Sequence, residues 1–159
     1  ENLPYKGFIF IGLIMVENDP YVIEYNVRMG DPETQVVLPR IKSDFLELMA
    51  RTANQTLNNF DLQINKDTYA NIVMVAGGYP ESYEKGNPIN GIPKDNETSK
   101  IFHAGTKEID NKLFTNGGRV LSVVSKGSDF KQALSKSYEI ARKIDFKDKN
   151  YRKDIGFDL

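Results

Sequence analysis

The alternation of apolar and polar residues along the chain assigns most of its elements. Lys6 to Val16 is almost continuously apolar, the pattern of a strand covered on both faces. Glu17-Asn-Asp-Pro20 supplies turn-forming residues. Tyr21 to Arg28, rich in β-branched and aromatic side chains, returns as a hairpin partner. Side chains alternate between faces along a strand. Ile23, Tyr25 and Val27 are therefore expected to face a core, and Glu24, Asn26 and Arg28 to line the opposite face. Gly30 then turns the chain, Asp31 suits a helix N-cap and Pro32 the first helical position. Pro39 interrupts that helix. Ser43 is expected to cap a second helix, with Asp44 in its first turn. Phe45, Met49, Thr52/Ala53, Thr56/Leu57 and Phe60 recur there every three or four residues, a stripe suited to plain core packing.

Between Asn58 and Asp67 the pattern weakens and polar residues cluster. A domain boundary is expected there, giving domains 1–57 and 58–159. Strands are predicted at Tyr69–Ala76, Lys100–Ile109, Lys112–Thr115 and Arg119–Ser125, with turn-rich stretches at Gly77–Lys94 and Asn116–Gly118. Asn116-Gly117 reads as a tight turn between the strands around Leu113 and Val120. Ser128 is expected to cap a helix that presents Phe130, Leu134, Ser137/Tyr138, Ala141 and Ile144 on one face. The charged tail from Asp145 is expected to fold back through Tyr151-Arg-Lys-Asp154. Gly77, Gly78 and Gly105 are assigned to backbone geometry, and Tyr79 and Tyr83 to packing around Pro80. The fold class is thus α/β followed by α+β: a sheet-and-helix piece, then a small β-rich domain with one packed helix.

Composition removes several functional classes. The 159 residues carry 21 Lys+Arg against 22 Asp+Glu, a formal charge of -1, with no cysteine. Such a balance is not that of a nucleic-acid surface, and no polybasic run points to a membrane. Without cysteine there is no disulfide or thiolate chemistry. The apolar run from Phe8 to Val16 is too short to cross a bilayer, and no signal peptide precedes it. A cytoplasmic protein is expected. Because the sequence opens at Glu1 without Met, and no Gly-rich nucleotide loop is visible, a fragment of a longer protein is also expected.

The candidate chemistry lies on the Glu24/Asn26/Arg28 face. A carboxylate beside an amide oxygen forms a hard-oxygen platform suited to Mg²⁺. A guanidinium two residues on would meet a phosphate or carboxylate bound to that metal. A helix starting at Asp31/Pro32 would aim N–H groups at the same place. The competing reading is an edge strand with a polar solvent face, in which Arg28 simply pairs with Asp31 or Glu33. On these residues alone both readings stand.

The same residues carry a resemblance. Glu24-x-Asn26-x-Arg28 looks like the distal Mg-binding strand of the ATP-grasp enzymes. The longer string Glu24-Tyr-Asn-Val-Arg-Met-Gly-Asp-Pro-Glu-Thr-Gln35 resembles the phosphoribosylamine–glycine ligase (glycinamide ribonucleotide synthetase) family. Ala76-Gly-Gly-Tyr-Pro80, Tyr83-Glu-Lys-Gly86, Phe102-His-Ala-Gly-Thr106, Gly117-Gly-Arg-Val-Leu121 and Tyr151-Arg-Lys-Asp-Ile-Gly156 look like the C-terminal domain of that family. The resemblance implies the C-terminal part of an ATP-grasp domain followed by a family-type C-terminal domain. It implies an ATP-dependent ligase of purine synthesis, with glycine, 5-phosphoribosylamine and ATP as substrates and Mg (or Mn) as cofactor. Glu24 and Asn26 become metal ligands and Arg28 a catalytic cation facing the transferred phosphate. Glu33 either braces Arg28 or approaches the glycine amine. Asp31, His103 and Lys107 become substrate-side candidates, the last two on a loop expected to face the cleft between domains.

The family also implies that the nucleotide clamp lies upstream, so that the 159 residues alone neither ligate nor bind ATP tightly. One departure is visible: other ATP-grasp enzymes often place a second acidic ligand about a dozen residues before the Glu of Glu-x-Asn, where this chain has Gly12 and Leu13. Two other readings are a different ATP-grasp ligase or carboxylase, and a non-catalytic assembly or regulatory module with a degenerate metal site.

Overall fold

The computed structural model describes residues 3–157 and 159. The expectation attached to Glu1 lies outside them. The Cα packing divides the chain into two compact units, Glu1–Asn65 and Lys66–Leu159. Residues 58–65 pack with the first unit because they pair with the segment before its second helix. Lys42 N donates to Gln63 O at 2.8 Å, Asn65 N donates to Arg40 O at 2.7 Å, and Ile41 bridges Ile64.

The first unit is a hairpin followed by short helices. Strands β1 (Phe10–Val16) and β2 (Asp19–Asn26) pair antiparallel around Glu17 and Asn18, both at positive φ. The apolar strand expected from Lys6 starts at Phe10. The segment before it meets the helix instead: the Phe8 and Phe45 rings stack at 6.5 Å, and Lys6 Nζ donates to Ala53 O at 2.9 Å.

Neither face of the hairpin is the expected core. Leu13 is 56% exposed, and on β2 Ile23 is 65% and Tyr25 67% exposed. This sheet holds two strands only among the described residues, and within the first unit no helix packs broadly on either face. Leu48 is the one large apolar side chain buried in this unit among the described residues.

Helix α1 (Thr34–Val37) begins three residues later than Asp31, because Gly30 O first accepts from Thr34 N at 3.0 Å and closes a turn through 31–33. Asp31 is therefore not its cap; Glu33 occupies that position without a side-chain cap bond. Helix α2 (Phe45–Asn54) is capped by Asp44, whose side chain accepts from Glu47 N at 2.7 Å. The expected cap, Ser43, is engaged elsewhere: its Oγ accepts from Gln63 N at 2.8 Å. Gln55, left-handed at φ 59°, ends α2 before the predicted stripe reaches Leu57 and Phe60.

The second unit holds the core. Its sheet has the order β3 (Thr68–Val75), β7 (Arg119–Gly127), β4 (Ser99–His103), antiparallel throughout, with β7 in the centre. A separate ribbon pairs β5 (Thr106–Ile109) with β6 (Lys112–Thr115). The tight turn thus falls at Asp110-Asn111, both at positive φ, and not at Asn116-Gly117. Asn116 N donates to Gly105 O instead, at 2.7 Å. The predicted strand Lys100–Ile109 is broken for the same reason: Ala104 and Gly105 turn to bond Val120 and Arg119.

Helix α3 (Phe130–Lys143) buries Ala133, Ser137 and Ala141, with Ile144 fully buried just past its end. Ile72, Met74, Leu121 and Val123 supply the sheet side. The helix cap is Asp129, accepting from Gln132 N at 2.8 Å, rather than Ser128. Asp129→Ala should lower the stability of this unit by about 1 kcal/mol, read as a lower denaturant midpoint with an unchanged slope.

The tail folds back as expected. Val75 and Asn150 exchange backbone hydrogen bonds of 2.8 and 3.0 Å. The Tyr138 hydroxyl donates to Arg152 O at 3.0 Å. Gly77 and Gly105 serve close approach: a methyl on Gly77 would lie 2.8 Å from Asp148 O, and one on Gly105 2.6 Å from Arg119 O.

Candidate functional site

The geometry of the polar face follows from one irregularity in the hairpin. Val16 faces Asp19 and Leu13 faces Val22, but Gly12 faces Glu24. Ile23 is therefore an extra residue, a β-bulge that shifts the register by one. Beyond it Glu24 and Asn26 stand two apart and share a face, opposite Gly12 and Phe10 respectively. Directly opposed residues of an antiparallel pair project to the same side, so Phe10, Glu24 and Asn26 form one surface.

Gly12 matters because it is small. A methyl there would come 3.1 Å from Glu24 Cγ, so the bare backbone leaves room for the Glu24 side chain to lie across the strand. The position where the wider superfamily often carries a second acid serves here as clearance.

The loop after β2 joins this surface. The Phe10 ring lies 2.9 Å from where a methyl on Gly30 would sit, and Glu33 Oε2 occupies the same space. The Glu33 carboxylate is thus brought to the corner made by Phe10 and Gly30, beside the Glu24/Asn26 face. Asp31 lies on the same turn and accepts from Gln35 Nε2 at 3.4 Å.

Arg28 falls past the strand. β2 ends at Asn26, and the carbonyl of Val27 turns to the Tyr5 hydroxyl at 2.9 Å. Arg28 is exposed, and its Nη1 donates to Met29 O at 3.0 Å. No bond or ion pair between Arg28 and Glu33 or Asp31 is formed among the described residues within hydrogen-bonding reach.

The donor set fits a hard divalent cation in part. Glu24, exposed, and Asn26, half-buried, offer carboxylate and amide oxygens on one face. Among the described residues no three His, Cys, Asp or Glu side chains converge as a cage. A cation held here would complete its shell with phosphate oxygens and water, the usual arrangement for Mg²⁺ at phosphate-transfer sites.

His103 and Lys107 belong to the second unit. His103 is exposed at the end of β4, with Nδ1 3.1 Å from Thr106 Oγ1. Lys107 is exposed on β5, opposite Phe114. The turn between them is held tightly: Ala104 N donates to Val120 O at 3.0 Å and Gly105 N to Arg119 O at 2.8 Å.

Phe10 is not expected at the site from the strand pattern, nor is the clearance that Gly12 and Gly30 give to Glu24 and Glu33. Their signal lies in the register: counting back from the turn places Glu24 opposite Ile11, and only the bulge moves it to Gly12.

Comparison with known proteins bears on the same residues. The family description "Phosphoribosylglycinamide synthetase, C domain" matches residues 69–158, more than half the chain. "Phosphoribosylglycinamide synthetase, ATP-grasp (A) domain" matches residues 1–34, which include the Glu24/Asn26 strand. A phosphoribosylamine–glycine ligase of Fusobacterium nucleatum is 46% identical over 98% of this chain and 37% of its own length. A bifunctional purine biosynthetic protein of Pichia angusta is 46% identical over 98% of this chain and 20% of its own. The crystal structure of a phosphoribosylamine–glycine ligase from Thermotoga maritima superposes with a TM-score of 0.78 at 38% identity, covering 92% of this chain and 36% of that one.

The chain therefore spans little more than a third of the single-function relatives it matches. Among the described residues no helix is long and apolar enough to cross a membrane. The hairpin with its polar face and the β3-β7-β4 sheet under α3 both fall within these matches, and the chain belongs to the phosphoribosylglycinamide synthetase family.

Proposed function

We propose that this chain supplies the metal-and-phosphate wall of an ATP-dependent ligase that joins glycine to 5-phosphoribosylamine, giving glycinamide ribonucleotide through a glycyl phosphate. The observation that carries the reading is the bulged β2 strand, which aligns Glu24 with Asn26 over Gly12 and Phe10 inside a family-matched segment. ATP and a divalent cation, Mg or Mn, are the expected co-substrate and cofactor. A bound cation would neutralise charge on the phosphates during transfer.

The chain's own residues have the following parts. Glu24 and Asn26 would hold the cation by hard oxygens, which would fix the phosphates relative to the strand. Arg28, carried on the exposed segment after β2, swings to the transferred phosphoryl oxygens and stabilises their charge. Glu33, at the Phe10/Gly30 corner, either steadies Arg28 or receives the glycine amine. Asp31 on the same turn, and His103 and Lys107 in the second unit, are proposed for the substrate side. The reaction is expected to take place in the cytoplasm.

The test uses the longer protein that carries this chain. ADP release should require ATP, glycine and phosphoribosylamine together. Release that depends on bicarbonate, or on a different amine, would assign another ATP-grasp reaction. No turnover with any of them, in a folded protein, would favour a non-catalytic module.

A further inference from the structure

We propose that the first unit carries a binding site for a medium-chain fatty acid, an aliphatic tail ended by one carboxylate. A cavity of about 360 Å³ opens between the segment before β1 and the segments on either side of α2. Phe8, Ile41, Leu48, Leu57 and Ile64 are among its walls, and Arg40 is the one charged side chain in the lining among the described residues. Glu24, Asn26, Arg28 and Glu33 do not line it, so the proposal does not rest on the reaction proposed above.

Apart from Arg40, the walls offer a polar ligand little. The Thr52 hydroxyl, which also lines the cavity, donates to Leu48 O at 2.8 Å. The amides of Ile41 and Leu48 donate to Leu38 O and Asp44 O, both at 3.1 Å. Water in such a space finds few partners, and an apolar group that displaces it gains free energy. Leu57 and Ile64 keep much of their surface exposed, so the cavity can be entered from solvent.

Arg40 supplies a single complementary charge. Its backbone is held by the pairing of Arg40 O with Asn65 N at 2.7 Å. Its Nε donates to Asn65 O at 3.4 Å, and its terminal nitrogens form no hydrogen bond or ion pair among the described residues. The carboxylates around α2 are engaged elsewhere. Asp44 accepts from Glu47 N at 2.7 Å, Glu47 binds Arg51 Nη2 at 2.8 Å, and Asp61 accepts from Gln63 Nε2. A planar guanidinium fork matches one carboxylate. A phosphate dianion would call for a second cation, and the described lining has none.

The walls also set the tail. The Phe8 ring already stacks on Phe45 at 6.5 Å, which leaves aliphatic side chains as the main free surface. The volume lies at the small end of the range for ligand pockets, ~300–1,000 Å³, and so suits a medium rather than a long chain.

The experiment is an NMR titration of the longer ligase that carries this chain, with ¹³C-labelled isoleucine and leucine methyls. Octanoate, 1-octanol and acetate form separate arms. Octanoate should shift the methyls of Ile41, Leu48 and Ile64 saturably, 1-octanol with about tenfold lower affinity, and acetate not at all. Arg40→Gln should bring octanoate down to the affinity of 1-octanol, and Arg40→Lys, which keeps the charge, should recover most of the loss. Arg40 is exposed, and unchanged methyl positions in the unliganded variants would show that the fold is kept. No saturable shift would overturn the assignment, including the case in which the rest of the longer protein already fills the cavity. Equal affinity for 1-octanol and octanoate, or parental affinity in Arg40→Gln, would overturn it as well.

Discussion

Glu24→Gln in the longer ligase should lower kcat by about 10²–10³-fold, comparable with the loss of one preorganised group that stabilises transition-state charge. The substitution changes little else. Glu24 is exposed, and its Cγ already lies in the clearance left by Gly12. Gln keeps the length and one amide oxygen but removes the negative charge that a divalent cation needs. The strand face then offers two neutral amide oxygens, that of the substituted side chain and that of Asn26, and no carboxylate. Steady-state turnover measured across a range of Mg²⁺ concentrations separates two origins of the loss. If Glu24 holds the cation, the apparent Mg²⁺ requirement rises along with the loss of rate. An unchanged turnover at every Mg²⁺ concentration would remove the metal role and favour a module in which the strand only assembles.

Leu121→Ala should cost the second unit about 2–5 kcal/mol, the range for deleting a fully buried leucine from a packed core. Leu121 has no exposed surface. It lies on the central strand, paired with Met74 on one side and His103 on the other. A cavity there is walled by two strands and α3, none of which can collapse without breaking sheet register. Against a total stability of about 5–15 kcal/mol for an ordinary domain, the loss is a large fraction. Leu13→Ala is the contrast. Leu13 is 56% exposed on the hairpin, and its truncation should fall within about 0.5 kcal/mol. Urea unfolding followed by circular dichroism measures both. Equal shifts in midpoint would mean that burial does not separate the two units.

Much of the fold was legible because its signals are local. The stripe on α3 predicted Ser137, Ala141 and Ile144 as its inner face, and these are buried. The tail's return was legible from its aromatic and charged residues, and Tyr138 and Tyr151 now pack there. Errors of one residue at the caps of α2 and α3 share one cause. Both are Ser-Asp pairs, and either side chain can accept from the helix N-terminus. Tertiary bonds decided the first: Ser43 is taken by Gln63.

The hairpin turn at Asp110-Asn111 lost to Asn116-Gly117 on propensity, since Gly favours positive φ more strongly. Only the long-range approach of Gly117 to Gly105 removes that pair from hairpin duty. For the site, the Glu24/Asn26 pairing came directly from alternation. The end of the strand before Arg28 did not, because it depends on Tyr5 reaching Val27 O from outside the strand. The bulge at Ile23, which sets what lies across from Glu24, has no signature in a single strand read alone.

The order β3-β7-β4 has a consequence for how the chain is made. β3 leaves the ribosome more than forty residues before its partner β7 begins, a wait of a few seconds at about 5–20 residues per second. β4 waits for the same partner. Until β7 emerges, β3 and β4 have no edge to join, and α3, which packs on β3 and β7, is not yet translated. Nascent-chain folding should therefore come late and all at once, and the interval before it is when a chaperone would have most to hold.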